Sequence, residues 1–118
     1  MEENAGYKNL LVWKKADELV FLVYDVTRRF PKDELFSLTS QIRRSVLSVP
    51  TNVVEGFSRA NKKEFKRFVA IALGSLGETK YLLTVAYRLK YINQEDYSNV
   101  LNGAECVGQL LWKFYKSL

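Results

Sequence analysis

A chain of 118 residues, 47% hydrophobic and 26% charged, can bury one core but not two, and is too apolar to stay disordered. One cysteine and no histidine exclude an intramolecular disulfide and the thiolate or imidazole sets that hold zinc or haem. The formal net charge of +5 suits a phosphate backbone or an acidic protein, while the acidic start MEENAGY and the lack of an apolar run near ~18 to 20 residues point to a cytoplasmic protein without a membrane span.

Residues 1–8 read as a flexible tail. The first predicted helix runs from about Asn9 to Arg29, because Trp13, Ala16, Val20, Val23, Thr27 and Phe30 recur at spacings of three and four. Leu11, Val12, Leu19, Phe21, Leu22 and Val26 spill beyond that stripe, and a helix apolar on more than one face implies a partner subunit. Pro31 stops the helix. Asp33 or Ser37 can cap the second helix, whose stripe is Leu35, Leu38, Ile42, Ser45 or Val46, Val49 and Val53. Pro50 bends this helix without ending it, and Gly56 is its natural left-handed terminator.

The third helix opens at Asn61, with Glu64 in the relation of a capping box, and its stripe extends from Phe65 to Tyr91. Ala72, Gly74, Ser75 and Gly77 are small residues that predict a tight crossing there, although the two glycines lower helix propensity. Asn93 caps the fourth helix, helped by Asp96. Its stripe holds Tyr97, Val100 or Leu101, Ala104, Val107, Leu111, Phe114 and Leu118, leaving Trp112 and Tyr115 as further surplus. No segment reads as a strand. The expected fold is all-α: a single antiparallel up-down-up-down four-helix bundle.

A di-iron bundle needs Glu-x-x-His pairs, so the missing histidine removes that site in its usual form. Glu55 and Glu78 lie near inward stripes, where a salt bridge to Arg43 or Arg44 accounts for them better than acid–base chemistry does. There is no phosphate loop, since GSLG at Gly74 lies inside a helical period, and Ser75 has no activating base. We expect no catalytic residue, no metal and no cofactor. Cys106, among Ala104, Val107 and Leu110, reads as a buried structural thiol.

The strongest charge signal is Arg59, Lys62, Lys63, Lys66 and Arg67 against Glu64 alone, at a helix start whose free amides also favour phosphate. Arg28 and Arg29, with Lys8, Lys14 and Lys15, add charge along the first helix. The plain alternative is a solvated helix face. Tyr81, Tyr87 and Tyr91 can stack on bases, though at helical spacing tyrosines more often pack at a core rim.

One set of residues carries more than composition. Leu11 and Trp13, Phe30-Pro31 with Glu34, Leu38, Gln41-Ile42-Arg43-Arg44, Ser48, Asn52-Val53, Glu55-Gly56, Arg59, Phe65, Ala72, Gly74-Ser75-Leu76 and Glu78 occur in an order that resembles the four-helix-bundle proteins encoded in intervening sequences of bacterial 23S ribosomal RNA genes. The resemblance implies a left-turning bundle that assembles as a ring of five. It is also similar to the accessory proteins of diversity-generating retroelements, pentameric bundles that bind reverse transcriptase and nucleic acid through a basic surface. It implies no catalytic residue, and being encoded within an rRNA gene does not make a protein part of the ribosome.

Two functions follow as expectations. The first is a non-enzymatic homo-oligomeric scaffold whose basic face, Arg59, Lys62, Lys63, Lys66 and Arg67 with Arg28 and Arg29, binds RNA, a ribonucleoprotein or a nucleic-acid-processing protein. The second is a protein interaction module with an acidic partner and no nucleic-acid target. Gathering of Arg59, Lys62, Lys66 and Arg28 in space favours the first and scatter the second. In both, Gln41, Arg43, Arg44, Glu55 and Glu78 are structural polar residues. Leu19, Phe21, Leu22, Val26, Trp112 and Tyr115 form the subunit interface, with five copies favoured by the resemblance alone.

Overall fold

The computed structural model describes residues 2–118, with side chains from Gly6 onward, and it is built of helices with no strand among the described residues. Helix α1 spans Leu11–Thr27, α2 Leu38–Phe57, α3 Lys62–Arg88 and α4 Gln94–Ser117. Short 3-10 segments occupy Glu2–Asn9 and Lys32–Glu34. The first of these covers the stretch expected as a tail, and Tyr7 within it meets the Trp13 ring edge-on at 5.0 Å. Each helix packs on its neighbours in sequence, and α4 closes the bundle against α1. The result measures 43 × 27 × 19 Å.

Ile42, Val46, Val49 and Val53 of α2 are fully buried at spacings of three and four, opposite Val69, Ala72 and Leu83 of α3 and Val100, Ala104 and Leu111 of α4. The β-branched residues cost a little helix propensity, which their burial outweighs at roughly 25 cal/mol per Å² of apolar surface. Pro50 is buried within α2, and the helix continues past it to Phe57, as its period implied.

The side-chain caps of α3 and α4 match the sequence. Asn61 accepts a hydrogen bond from the Glu64 amide at 2.8 Å, and Asn93 from the Asp96 amide at 2.7 Å. The start of α2 differs, since neither Asp33 nor Ser37 caps it. Instead the Glu34 carboxylate accepts from the Ser37 hydroxyl at 2.7 Å and from the Leu38 amide at 3.4 Å. Helix α3 stops at Arg88, short of the expected Tyr91. Lys90 takes the left-handed conformation (φ 67°), with Lys90 N donating to Tyr87 O and Tyr91 N to Ala86 O. That pair of bonds is a Schellman turn in which lysine occupies the usual glycine position.

Several expectations fail for identifiable reasons. Gly56 is not a left-handed terminator: it is helical and buried, and a Cβ there would come within 2.6 Å of Phe65 and 2.9 Å of Phe68. Its role is close approach of α2 to α3. Conversely, Gly74 and Gly77 make no tight crossing, because a Cβ on either would meet nothing within 4 Å. Leu19 and Val26 are not interface residues. They are 2% and 4% exposed, inside the monomer's own core, because α1 is buried against both α2 and α4 and needs a wider apolar arc than one stripe. Cys106 is exposed, not a buried thiol. Finally, α3 is by length and composition apolar enough to cross a membrane, contrary to the first reading, yet Phe68, Leu76, Leu83 and Ala86 along it are core residues of the bundle.

Candidate functional site

The basic residues divide between opposite ends of the bundle. Arg28 pairs with Asp25 at 3.3 Å, and Arg29 reaches Asp96 in the first turn of α4 at 2.8 Å. Lys66, near the start of α3, instead lies 4.7 Å from the Tyr115 ring in the last turn of α4. The stretch of α4 between Asp96 and Tyr115 rises roughly 28 Å at 1.5 Å per residue. Arg28 and Arg29 therefore do not join Arg59, Lys62, Lys63, Lys66 and Arg67 in one face.

What gathers at the second end is more than the sequence indicated. Arg59 and Arg67 both lie over the Phe68 ring, 4.9 and 4.7 Å from its centroid. Trp112 and Tyr115 stack at 5.5 Å with 11° between their planes, Lys66 sits on the Tyr115 ring, and Lys116 lies 5.6 Å from that of Trp112. Beneath them Phe65 meets Phe57 and Phe114 edge-on. Rings under cations hold the charges outward and cost little solvation. Among the described side chains two carboxylates pair with this surface, Glu55 on Arg59 at 2.9 Å and Glu64 on Arg67 at 3.1 Å, and both pairs are solvent-exposed. Lys62 and Lys63 are exposed and join no ion pair among the described residues. Lys116 was missed in the sequence, although it stands four residues after Trp112, within reach on one helix face.

The expected salt bridges of Glu55 or Glu78 to Arg43 or Arg44 do not form, and Glu55 pairs with Arg59 instead. Arg43 Nε donates to Thr27 Oγ1 at 2.9 Å, and its guanidinium lies 4.6 Å from the Tyr24 ring. It pairs with neither Glu55 nor Glu78. Arg44 reaches only Ser40, at 3.4 Å. Gln41, Arg44 and Glu78 instead border a shallow polar groove of about 340 Å³ between α2 and α3, floored by Ser45, Ser48 and Ser75. Ser45 bonds to Thr79 and Ser48 to Ser75, each at 2.8 Å, so hydroxyl pairs stitch the two helices across their contact.

At the other end the Glu34 carboxyl is held below its ordinary value, first by the Ser37 hydroxyl and then by the Tyr91 phenol, which donates to it at 2.8 Å. The same bond raises Tyr91 above its ordinary value, since ionisation would break it and set a phenolate beside a carboxylate. Of the proposed interface residues, Phe21 and Trp112 are 68% and 50% exposed, whereas Leu22 and Tyr115 are half-buried against the core.

The fold is that of a four-helix protein, with Arg59, Lys66, Arg67 and Lys116 set on aromatic rings at one end. The chain belongs to the 23S rRNA-intervening sequence protein family, whose pattern it matches over residues 8–113. It is similar to a protein of unknown function from the S23 ribosomal protein family of Bacteroides thetaiotaomicron VPI-5482, known from a 1.70 Å crystal structure. The identity is 26% and the TM-score 0.83, over 90% of this chain and 99% of that one. No curated protein matches the sequence significantly.

Proposed function

We propose that this protein is a non-enzymatic, self-associating scaffold that binds RNA or a ribonucleoprotein through the end formed by the start of α3 and the close of α4. The observation that carries this reading is the cluster of Arg59, Lys66, Arg67 and Lys116 set on aromatic rings, with the exposed Lys62 and Lys63 beside them and, among the described side chains, Glu55 and Glu64 paired with Arg59 and Arg67. Cations in excess of their carboxylates attract phosphates, and the first-turn amides of α3 point the same way. Self-association is supported by Phe21 and Trp112, which leave large apolar side chains in water on two different helices. Five copies remain the number that the resemblance implies.

Gel-shift titration with a single-stranded RNA at 50 and 200 mM salt tests the binding. About three phosphate contacts predict an affinity loss of roughly 20-fold across that range. Absence of binding at low salt, or indifference to salt, removes the nucleic-acid reading. Light scattering tests the assembly, which a particle of 13.7 kDa at micromolar concentration would exclude.

A second reading, a module for an acidic protein partner, is favoured by one observation. Arg28 and Arg29 lie away from the main cluster, each already matched with a carboxylate. A protein ligand that displaces RNA from the basic end at equal net charge would support it.

A further inference from the structure

On the face shared by α1 and α2, toward the end away from the basic cluster, lies an apolar groove of about 490 Å³ lined by Tyr24, Leu35, Phe36, Thr39, Arg43 and Leu47, with Arg44 at its edge. Phe36 is 92% exposed, the most open large apolar side chain described, and Leu35 and Leu47 are also exposed. Contiguous apolar surface of this kind marks a contact site more often than an accident of the sequence.

The groove is not merely apolar. Arg43 is half-buried, and its guanidinium is fixed by the Thr27 hydroxyl and the Tyr24 ring, so its position is set before any ligand arrives. Neither Arg43 nor Arg44 has a carboxylate within 4.0 Å among the described residues, although most other arginines of the chain do. The hydroxyl of Thr39, a residue 3% exposed, is buried and has no hydrogen-bond partner. A fixed, partly desolvated guanidinium lacking a counter-charge is the half of a charge-assisted pair that a ligand completes.

Three kinds of occupant can be weighed on these observations. A phosphate backbone would satisfy the arginines and leave Leu35, Phe36 and Leu47 in water. A wholly apolar segment would cover those side chains and leave two guanidiniums under it without a counter-charge, which is costly. A segment carrying both an apolar side chain and a carboxylate satisfies the walls and the charge together. We propose that this groove docks a short acidic and apolar segment of a partner protein, its carboxylate on Arg43 and Arg44 and its leucine or phenylalanine against Phe36 and Leu47. Short segments laid into grooves between helices are a common recognition mode. The proposal is independent of RNA binding at the far end.

The test uses the full chain and a set of fluorescein-labelled ten-residue peptides that permute aspartate, leucine and phenylalanine, each paired with a counterpart in which asparagine replaces aspartate. Fluorescence anisotropy should show saturable binding of acidic members, about tenfold weaker for their asparagine counterparts, as loss of a charge-assisted pair implies. Phe36→Ala and Arg44→Gln, both at exposed positions, should each weaken binding at least fivefold with unchanged far-ultraviolet dichroism, and Arg43→Lys should do so without removing the positive charge. Three results overturn the proposal: no acidic peptide binds, the asparagine counterparts bind equally well, or the variants bind like the parent. A change in the sedimentation coefficient of the unliganded protein on Phe36→Ala would also overturn it, by assigning the groove to a second copy of the chain. Loss of RNA affinity in that variant would overturn it in favour of nucleic acid.

Discussion

The two ends of the bundle use charged and aromatic residues in opposite ways. At the end holding Glu34, Tyr91, Arg29 and Asp96, donors meet carboxylates across elements: Tyr91 on Glu34 at 2.8 Å and Arg29 on Asp96 at 2.8 Å, with Phe30 packed 5.5 Å from the Tyr91 ring. At the other end cations lie on rings, over Phe68, Tyr115 and Trp112. The first arrangement spends its charges on joining helices. The second pairs Arg59 and Arg67 with carboxylates three or four residues away and leaves Lys62 and Lys63 without an ion pair among the described residues.

If the aromatic platform is what holds the second end in shape, crowding it should produce the largest effect. Gly56→Ala would place a methyl 2.6 Å from Phe65 and 2.9 Å from Phe68. Overpacking of this degree costs about 1 to 3 kcal/mol, against which a helix propensity gain near 1 kcal/mol is smaller, so urea unfolding should show a net loss. An unchanged midpoint would mean that the platform yields easily.

The division of labour between the ends is sharpened by charge removal. Lys62→Gln, Lys63→Gln and Lys66→Gln together should lower RNA affinity by more than tenfold and flatten its salt dependence, while changing stability by no more than about 0.5 kcal/mol. Arg28→Gln with Arg29→Gln should leave RNA affinity within about twofold. Equal losses from both sets would restore a single face spanning the molecule.

A smaller effect belongs to the paired end. Glu34 ionises more easily in the folded protein, so its contribution is present above its ordinary value of 4.5 and is lost as pH falls through the lowered folded value. Tyr91 is raised from 10.0, so its contribution is present below that value and is lost as pH rises through the higher folded one. Tyr91→Phe should therefore be less stable than the parent between about pH 5 and 10, with the gap narrowing at more acid and more alkaline pH in thermal melts. A gap constant across that range would remove the hydrogen bond as its cause.

The smallest change concerns the turn after α3. Lys90 occupies a left-handed conformation that disfavours a side chain, so Lys90→Gly should stabilise the chain by about 1 kcal/mol in urea titrations, leaving both ends as they are.

The helices were legible because their period and their asparagine caps agree, and Asn61 and Asn93 bond as their positions imply. The errors share a physical origin, since sequence spacing gives a residue's face without telling how many neighbours that face meets. Leu19 and Val26 looked surplus because one stripe suffices for one contact, whereas α1 makes two. Gly56 and Gly74 carry the same absence of a side chain, and only the third dimension shows Phe65 and Phe68 over one and open space over the other. Of the candidate site, the run from Arg59 to Arg67 was readable as charge density. The separation of Arg28 from it also follows from an up-down bundle, where the close of the first helix and the start of the third lie at opposite ends, but grouping by charge count overlooks it. The α1–α2 groove left no periodic mark, since Phe36 lies in the turn before α2.

Contacts among the four α-helices join elements adjacent along the chain, with the exception of α4 against α1. Folding can therefore proceed largely through local encounters, which places the protein among rapidly folding topologies. The α2–α3 hairpin, with its hydroxyl pairs and the close approach at Gly56, has the contacts to form early. Docking the outer helices on it then shortens the one long loop that must close, whose entropic cost grows only with the logarithm of its length. Amide exchange in native protein should accordingly be slowest at the centres of α2 and α3 and faster in α1, so that the oldest part of the folding trajectory is also the last to open.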